Sequence, residues 1–210
     1  MIKASDFKGV FGRVTQRNPV RRHSPFVRNQ PVRGVKSSVL KFSPSICANC
    51  NNSRTQAHDK AWEALSSGVR DAKPALGPGD RLPLRSFFGG HIKKFMLDVH
   101  LYFLKLLGCY AVEYSVPLPT KSFAVAILSE VAHPHIYLGF VAVQAPEAKR
   151  EIFVGHIQAL RFGKNLVAAE WFYVVGGLGV HVGYVEPGHP KFHKHRGWHP
   201  DQVWSSIGMR

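Results

Sequence analysis

Acidic side chains are scarce in this 210-residue chain: 13 Asp and Glu stand against 28 Lys and Arg, a formal charge of +15. That imbalance argues against a basic partner and points to a polyanion, for which nucleic acid is the usual candidate. Cysteine is also scarce. Three residues, two of them spaced three apart, build no disulfide framework and fit a reducing, cytoplasmic setting. The N-terminus lacks the apolar stretch of a signal peptide. An uninterrupted membrane-length apolar run is missing too. The nearest, "LVAAEWFYVVGGLGVHVGYV" at 166–185, contains Glu170, His181 and four glycines. Its second half alternates, with Leu178, Val180, Val182 and Tyr184 on one side and Gly179, His181 and Gly183 on the other. Period two around a Gly-Gly pair predicts a strand hairpin, not a transmembrane helix.

What is present divides into three regions. Residues 1–46 hold ten basic residues and one acid, Asp6, and so carry +9 of the +15. Pro19, Pro25, Pro31 and Pro44 break any long helix there, which predicts an extended basic arm with short strands, one of them at 32–42. Arg21, Arg22, Arg28 and Arg33 are its candidate phosphate contacts. Residues 47–67 hold the cysteine turn and a helix. Residues 68–83, "GVRDAKPALGPGDRLP", have the composition of a linker.

From 84 onward the patterns are those of an α+β domain. Ile92, Phe95, Met96, Val99, Phe103, Leu106 and Leu107 recur at helical spacing and predict a core-facing helix over 90–108. A second helix is expected at 120–131, with Thr120 as its cap. Four runs of strand character follow, at 135–143, 151–162, 166–175 and 178–186, and their short connections favour an antiparallel meander. His91, His100, His156 and His181 fall inside these patterns and read as structural. Cys109 reads as a small buried hydrophobe. The tail "EPGHPKFHKHRGWHPDQVW" carries His189, His193, His195 and His199 at a spacing that suits no helix face. It reads as a basic, aromatic arm packed on the sheet, with Lys191, Phe192, Lys194, Arg196 and Trp198 as its anchors or phosphate contacts; metal binding is the rival reading.

The chemistry-bearing segment is "CANCNNSRTQAHDKAWEAL", starting at Cys47. A C-x2-C turn aims both sulfurs at one ion, and zinc binding deprotonates them. Arg54 and the start of the following helix would offer a cation and backbone N–H groups to phosphate. The segment resembles the C-x2-C-N stretch of the HNH (His-Asn-His) endonuclease superfamily, in particular HNH-like proteins of bacteria and their phages. The resemblance is specific over about residues 39–65. It implies an N-terminal treble-clef zinc module over 1–67, built from a zinc knuckle, a hairpin and a helix, with Cys47 and Cys50 as structural Zn2+ ligands. It further implies Mg2+ or another divalent ion for DNA cleavage, with Asn51, His58 and His23 nearest the scissile phosphate and Arg54 beside them.

Members with a structural zinc carry a second C-x2-C upstream, and none precedes Cys47 here. The missing pair would lie upstream of Met1, or His23, His58 or a partner chain completes the site, or the module has lost its metal. The catalytic histidine of the hairpin and the asparagine before the cysteine turn are also not visible: "VLKFSPSI" holds no asparagine, and the one upstream histidine is His23. The expected function is nucleic-acid binding, DNA before RNA, with divalent-metal-dependent cleavage implied by the resemblance. The alternatives are a non-catalytic nucleic-acid-binding protein and a protein-interaction module. No membrane partner is expected.

Overall fold

The computed structural model describes residues 2–15, 18–24, 27–42, 47, 49–144, 150–189, 197–202 and 207–210. The chain is α+β. A central antiparallel sheet is formed by β4 (Ile136–Ala142), β5 (Ile152–Val154), β6 (Gln158–Phe162), β7 (Asn165–Val175) and β8 (Leu178–Val185). Its order is β4-β8-β7-β5, and β6 pairs with the other end of β7. β7 and β8 are joined by Gly176-Gly177, with φ of 57° and 90°. Both positions need the left-handed region, which suits the twist of a two-residue hairpin and favours glycine. The return of β8 beside β4, seven paired positions long, replaces the expected simple meander. The run at 151–162 is broken into two strands by Gly155, His156 and Ile157.

The alternation predicted for β8 is the observed one. Leu178, Val180, Val182 and Tyr184 are each at most 2% exposed and face the helices. They are joined by Ile136, Leu138 and Phe140 of β4 and by Trp171, Tyr173 and Val175 of β7. Against this face lies α4 (Ile92–Glu113), longer than its predicted span, with α5 (Thr120–Leu128) beside it. Pro119 takes the cap position of α5 and Thr120 begins its first turn. By length and hydropathy α4 could cross a membrane, yet 78% of its apolar window is buried in the protein. Its hydrophobicity is that of a helix covered on both sides.

The second cover of α4 is α2 (Gln56–Asp71), preceded by a π-helical turn at Cys50–Arg54. Ala61, Trp62 and Leu65 of α2 share one buried cluster with α4 and the sheet. Residues on both sides of the 68–83 segment therefore build the same core. Gly68 does not end the helix. A Cβ there would come within 2.6 Å of the Phe87 ring, so the glycine lets α2 approach α3 (Leu84–Phe88). Beyond it, β3 (Arg81–Leu82) pairs with the C-terminal β9 (Ile207–Gly208).

The N-terminal arm is more ordered than its composition suggests. It opens with a helix, α1 (Ala4–Phe11), followed by a hairpin of β1 (Val20–Arg22) and β2 (Gln30–Val32). The strand expected at 32–42 is instead the end of β2 and a 3-10 turn at Ser38–Leu40. Phe7, Val32 and Leu40 form a small separate cluster. A buried polar tether to the main core is Asp6, beside the Lys3–Glu63 pair and the packing of Val10 and Phe42. The Asp6 carboxylate accepts hydrogen bonds from Trp62 Nε1 (2.7 Å), Ser66 Oγ (3.0 Å), Tyr173 OH (3.2 Å) and Arg70 Nη1 (3.4 Å). Burial raises its pKa, and these partners oppose that rise. A charge so buried is tolerated only with such a set of partners.

Candidate nucleic-acid interface

The basic face starts from the β1–β2 hairpin. Alternation along β1 turns Arg21 outward, exposed, and leaves Arg22 half-buried on the side of Val20. Arg28 in the connecting loop and Arg33 after β2 are exposed, as is Arg54 in the π-helical turn. Among the described residues none of these five arginines forms an ion pair. Some cations elsewhere are engaged: Lys3 with Glu63, Arg70 with Asp6, Lys105 with Asp59, and Lys94 with Asp98 and Glu130; others, such as Arg81, Arg85 and Lys164, form no ion pair among the described residues either.

The cysteine turn is anchored from below. Lys105 Nζ, only 6% exposed, donates to Asp59 Oδ1 at 2.7 Å and to Thr55 Oγ1 at 3.1 Å. Thr55 Oγ1 in turn donates to the Cys50 carbonyl at 3.0 Å. The Thr55 N–H also bonds that carbonyl (3.1 Å), closing the wider π-type turn. Above this anchor Cys47 is exposed and Cys50 half-exposed. The Cys50 N–H donates to Cys47 Sγ at 3.1 Å. Hydrogen bonds from the Cys50 thiol and backbone lower the Cys47 pKa; Cys50, the donor, is raised. A cavity of about 460 Å³ opens beside the pair, between Arg54 and Lys105 on one side and Ile127 and Leu128 of α5 on the other.

Zinc requires four donors here, and the turn supplies two. Among the described residues no group of three or more His, Cys, Asp or Glu side chains is arranged to hold a metal ion. The described donor set thus does not complete a tetrahedral site.

The three residues expected near a scissile phosphate are not brought together. His58 faces inward, 1% exposed, with Nδ1 2.8 Å from Asp98 Oδ1 in the α2–α4 interface. Burial acts to raise the Asp98 pKa, but the hydrogen bonds from His58 and Lys94 and the Lys94 charge outweigh it and the net shift is downward. A side chain in that position holds two helices together and does not meet a phosphate in solvent. Asn51 is exposed, its amide bonded to Asn52 Oδ1 at 3.4 Å. His23 lies with Arg22 at a cavity on β5, whereas Arg54 and the cysteines line the cavity on α5.

In the tail, residues 190–196 lie outside the described residues, and with them His193, His195, Lys191, Phe192, Lys194 and Arg196. Trp198 is a sheet anchor: its backbone pairs with Leu138, and its Nε1 donates to the Gln202 carbonyl at 2.7 Å. His199 Nε2 donates to the His133 carbonyl at 3.1 Å. Sequence reasoning passed over two sets of residues that the fold singles out. Tyr110, Tyr114 and His156 converge beside Arg22, and Asp6 gathers four donors. Both draw on positions far apart in the chain, so spacing carries no signal for them. Comparison with known protein families, with curated proteins and with solved structures finds no match.

Proposed function

We propose that this protein binds nucleic acid through its N-terminal hairpin and the start of α2, and that it does so without cleaving. The observation that carries the reading is the set of five arginines, Arg21, Arg22, Arg28, Arg33 and Arg54, with no carboxylate partner among the described residues. Unpaired guanidinium groups on a chain of charge +15 are suited to phosphate, since each can offer paired donors and release condensed counterions. The resemblance to HNH-like proteins supports the same reading. A basic hairpin, then a C-x2-C turn, then a helix is the order of the hairpin-and-helix part of a treble clef. Inward-facing His58 and its separation from His23 favour binding over hydrolysis, which needs an activated water beside a held phosphate.

The test combines binding with cleavage. Fluorescence anisotropy with labelled DNA should give a complex that weakens steeply with salt. Replacing Arg21, Arg22, Arg28 and Arg33 with Gln should remove most of that binding. Incubation of plasmid DNA with the protein and Mg2+ or Mn2+ should leave it intact. Chelator-sensitive nicking would overturn the non-catalytic reading, and salt-independent binding would overturn the phosphate reading.

A further inference from the structure

A cavity of about 280 Å³ lies between the hairpin, the end of α4 and β5, near the lower end of the size range of small-ligand sites. Its base is aromatic and fixed. Tyr110 is 3% exposed, packs on Trp171 at 5.8 Å between ring centroids, and its hydroxyl is 2.9 Å from His156 Nδ1. Tyr114 lies against Tyr110 at 4.4 Å with the planes 32° apart, and meets the His156 ring edge-on at 6.1 Å. Tyr114 is 38% exposed, so ring surface remains open. At the rim stand Arg22, His23 and Ser24 from the hairpin.

We infer that this cavity holds one nucleotide unit of a single strand, its base stacked on Tyr114 and its phosphate on Arg22. The inference rests on the nucleic-acid reading above and names the form that the partner takes. An aromatic cage alone would also suit a cation. Arg22 argues against one, because its guanidinium lines the same cavity and would repel a cation there. A ring to stack and an anion to pair are the two halves of a nucleotide, and stacking on an aromatic ring accepts every base. A duplex keeps its bases stacked on one another, so the cavity selects an unpaired one. Continuity favours a strand over a free nucleotide. A second cavity of about 700 Å³ shares Arg22, His23, Ile152 and Phe153 with the first, and adds Arg21 and Arg150, with one carboxylate, Glu151, so its lining stays net cationic.

The experiment compares a labelled oligo(dA) with a duplex of equal length, by anisotropy at one salt concentration, on the full chain. The oligo(dA) should bind more tightly. Tyr114→Ala should weaken oligo(dA) binding about tenfold, within the span that stacking supplies, and leave duplex binding unchanged. Tyr114→Phe keeps the ring and should retain the affinity, and circular dichroism of both variants checks that the fold is kept. An unchanged oligo(dA) affinity in Tyr114→Ala, or an equal loss in Tyr114→Phe, would overturn the stacking site. Should the parent bind neither DNA, the nucleic-acid reading fails by itself, and calorimetry with adenosine 5′-monophosphate decides the cavity. Binding lost in Tyr114→Ala would keep the site as one for a free nucleotide, and no binding would overturn it.

Discussion

The region before α2 and the region from α2 onward divide the labour of this protein unequally. The first carries +10 of the +15 charge and contributes three residues, Phe7, Val32 and Leu40, to a cluster of its own. The second builds the sheet, the long helix and nearly all of the buried apolar side chains. Yet the two are joined by polar chemistry, chiefly the buried Asp6 carboxylate under Trp62, Ser66, Arg70 and Tyr173, with Lys3 pairing to Glu63 and the Asp59 carbonyl beside it. Charge can be concentrated at a surface with little core of its own, provided that polar groups such as Asp6 and Lys3 tie it to a scaffold that has one.

Removing that group should have the largest effect on the comparison. Asp6→Ala leaves the Trp62 and Tyr173 donors without their acceptor and Arg70 without its counter-ion. Urea unfolding should show a loss of about 3–5 kcal/mol, the usual consequence of breaking a buried charged pair. If the N-terminal region were an independent module, the main transition would stay where it is.

A second effect belongs to the scaffold alone. His133 is 4% exposed, its pKa pushed down to about 4 by burial and by the neighbouring His135 and His199. His100 is lowered for the same reason, by burial and by the charges that His199 and His133 would carry. Between about 4 and 6.5 the unfolded chain takes up protons that folded His133 refuses, so stability is full above about pH 6.5 and falls as the pH drops towards 4. From His133 alone the loss is on the order of 3 kcal/mol. Thermal melts across that window should show it, and His133→Gln should flatten the curve.

The smallest effect is expected at the cysteine turn. The Cys47 side chain is exposed and bonds only locally among the described residues, so Cys47→Ser should change stability by less than about 0.5 kcal/mol. Treatment with a strong zinc chelator should likewise leave the melting temperature in place. A fall of several degrees in either case would show that the turn holds a structural metal with donors from elsewhere, and would bring the basic region closer to a self-standing zinc module.

Most of the scaffold was legible in the sequence and much of the candidate interface was not. The stripe Ile92 to Leu107 and the alternation of Leu178 to Tyr184 are local periodicities, set by how a helix or a strand turns its side chains. Gly176-Gly177 announces its hairpin by the same logic. Helix α1 escaped notice because "ASDFKGVF" is too short to show a period, and what holds it is Asp6, whose partners lie 56 to 167 positions away. The 68–83 segment read as a linker from its glycines and prolines, but Gly68 is a contact with Phe87 inside the packing of α2 and α3. His58 followed a motif spacing to the phosphate; the fold turned it towards Asp98, 40 residues on. Charge placement was readable from the start. Pairing was not, because it depends on which carboxylates the fold brings close.

The hairpin arginines, without carboxylate partners among the described residues, should meet phosphate. The most direct measurement is the dependence of single-strand affinity on salt for the parent and for Arg22→Gln, over about 50 to 200 mM. Each phosphate contact contributes a slope of roughly −0.7 in log K against log salt for a single strand. The parent should show a slope of at least about −2, and Arg22→Gln should reduce its magnitude by roughly one contact. A parent slope near zero, or an identical slope in the variant, would contradict the account.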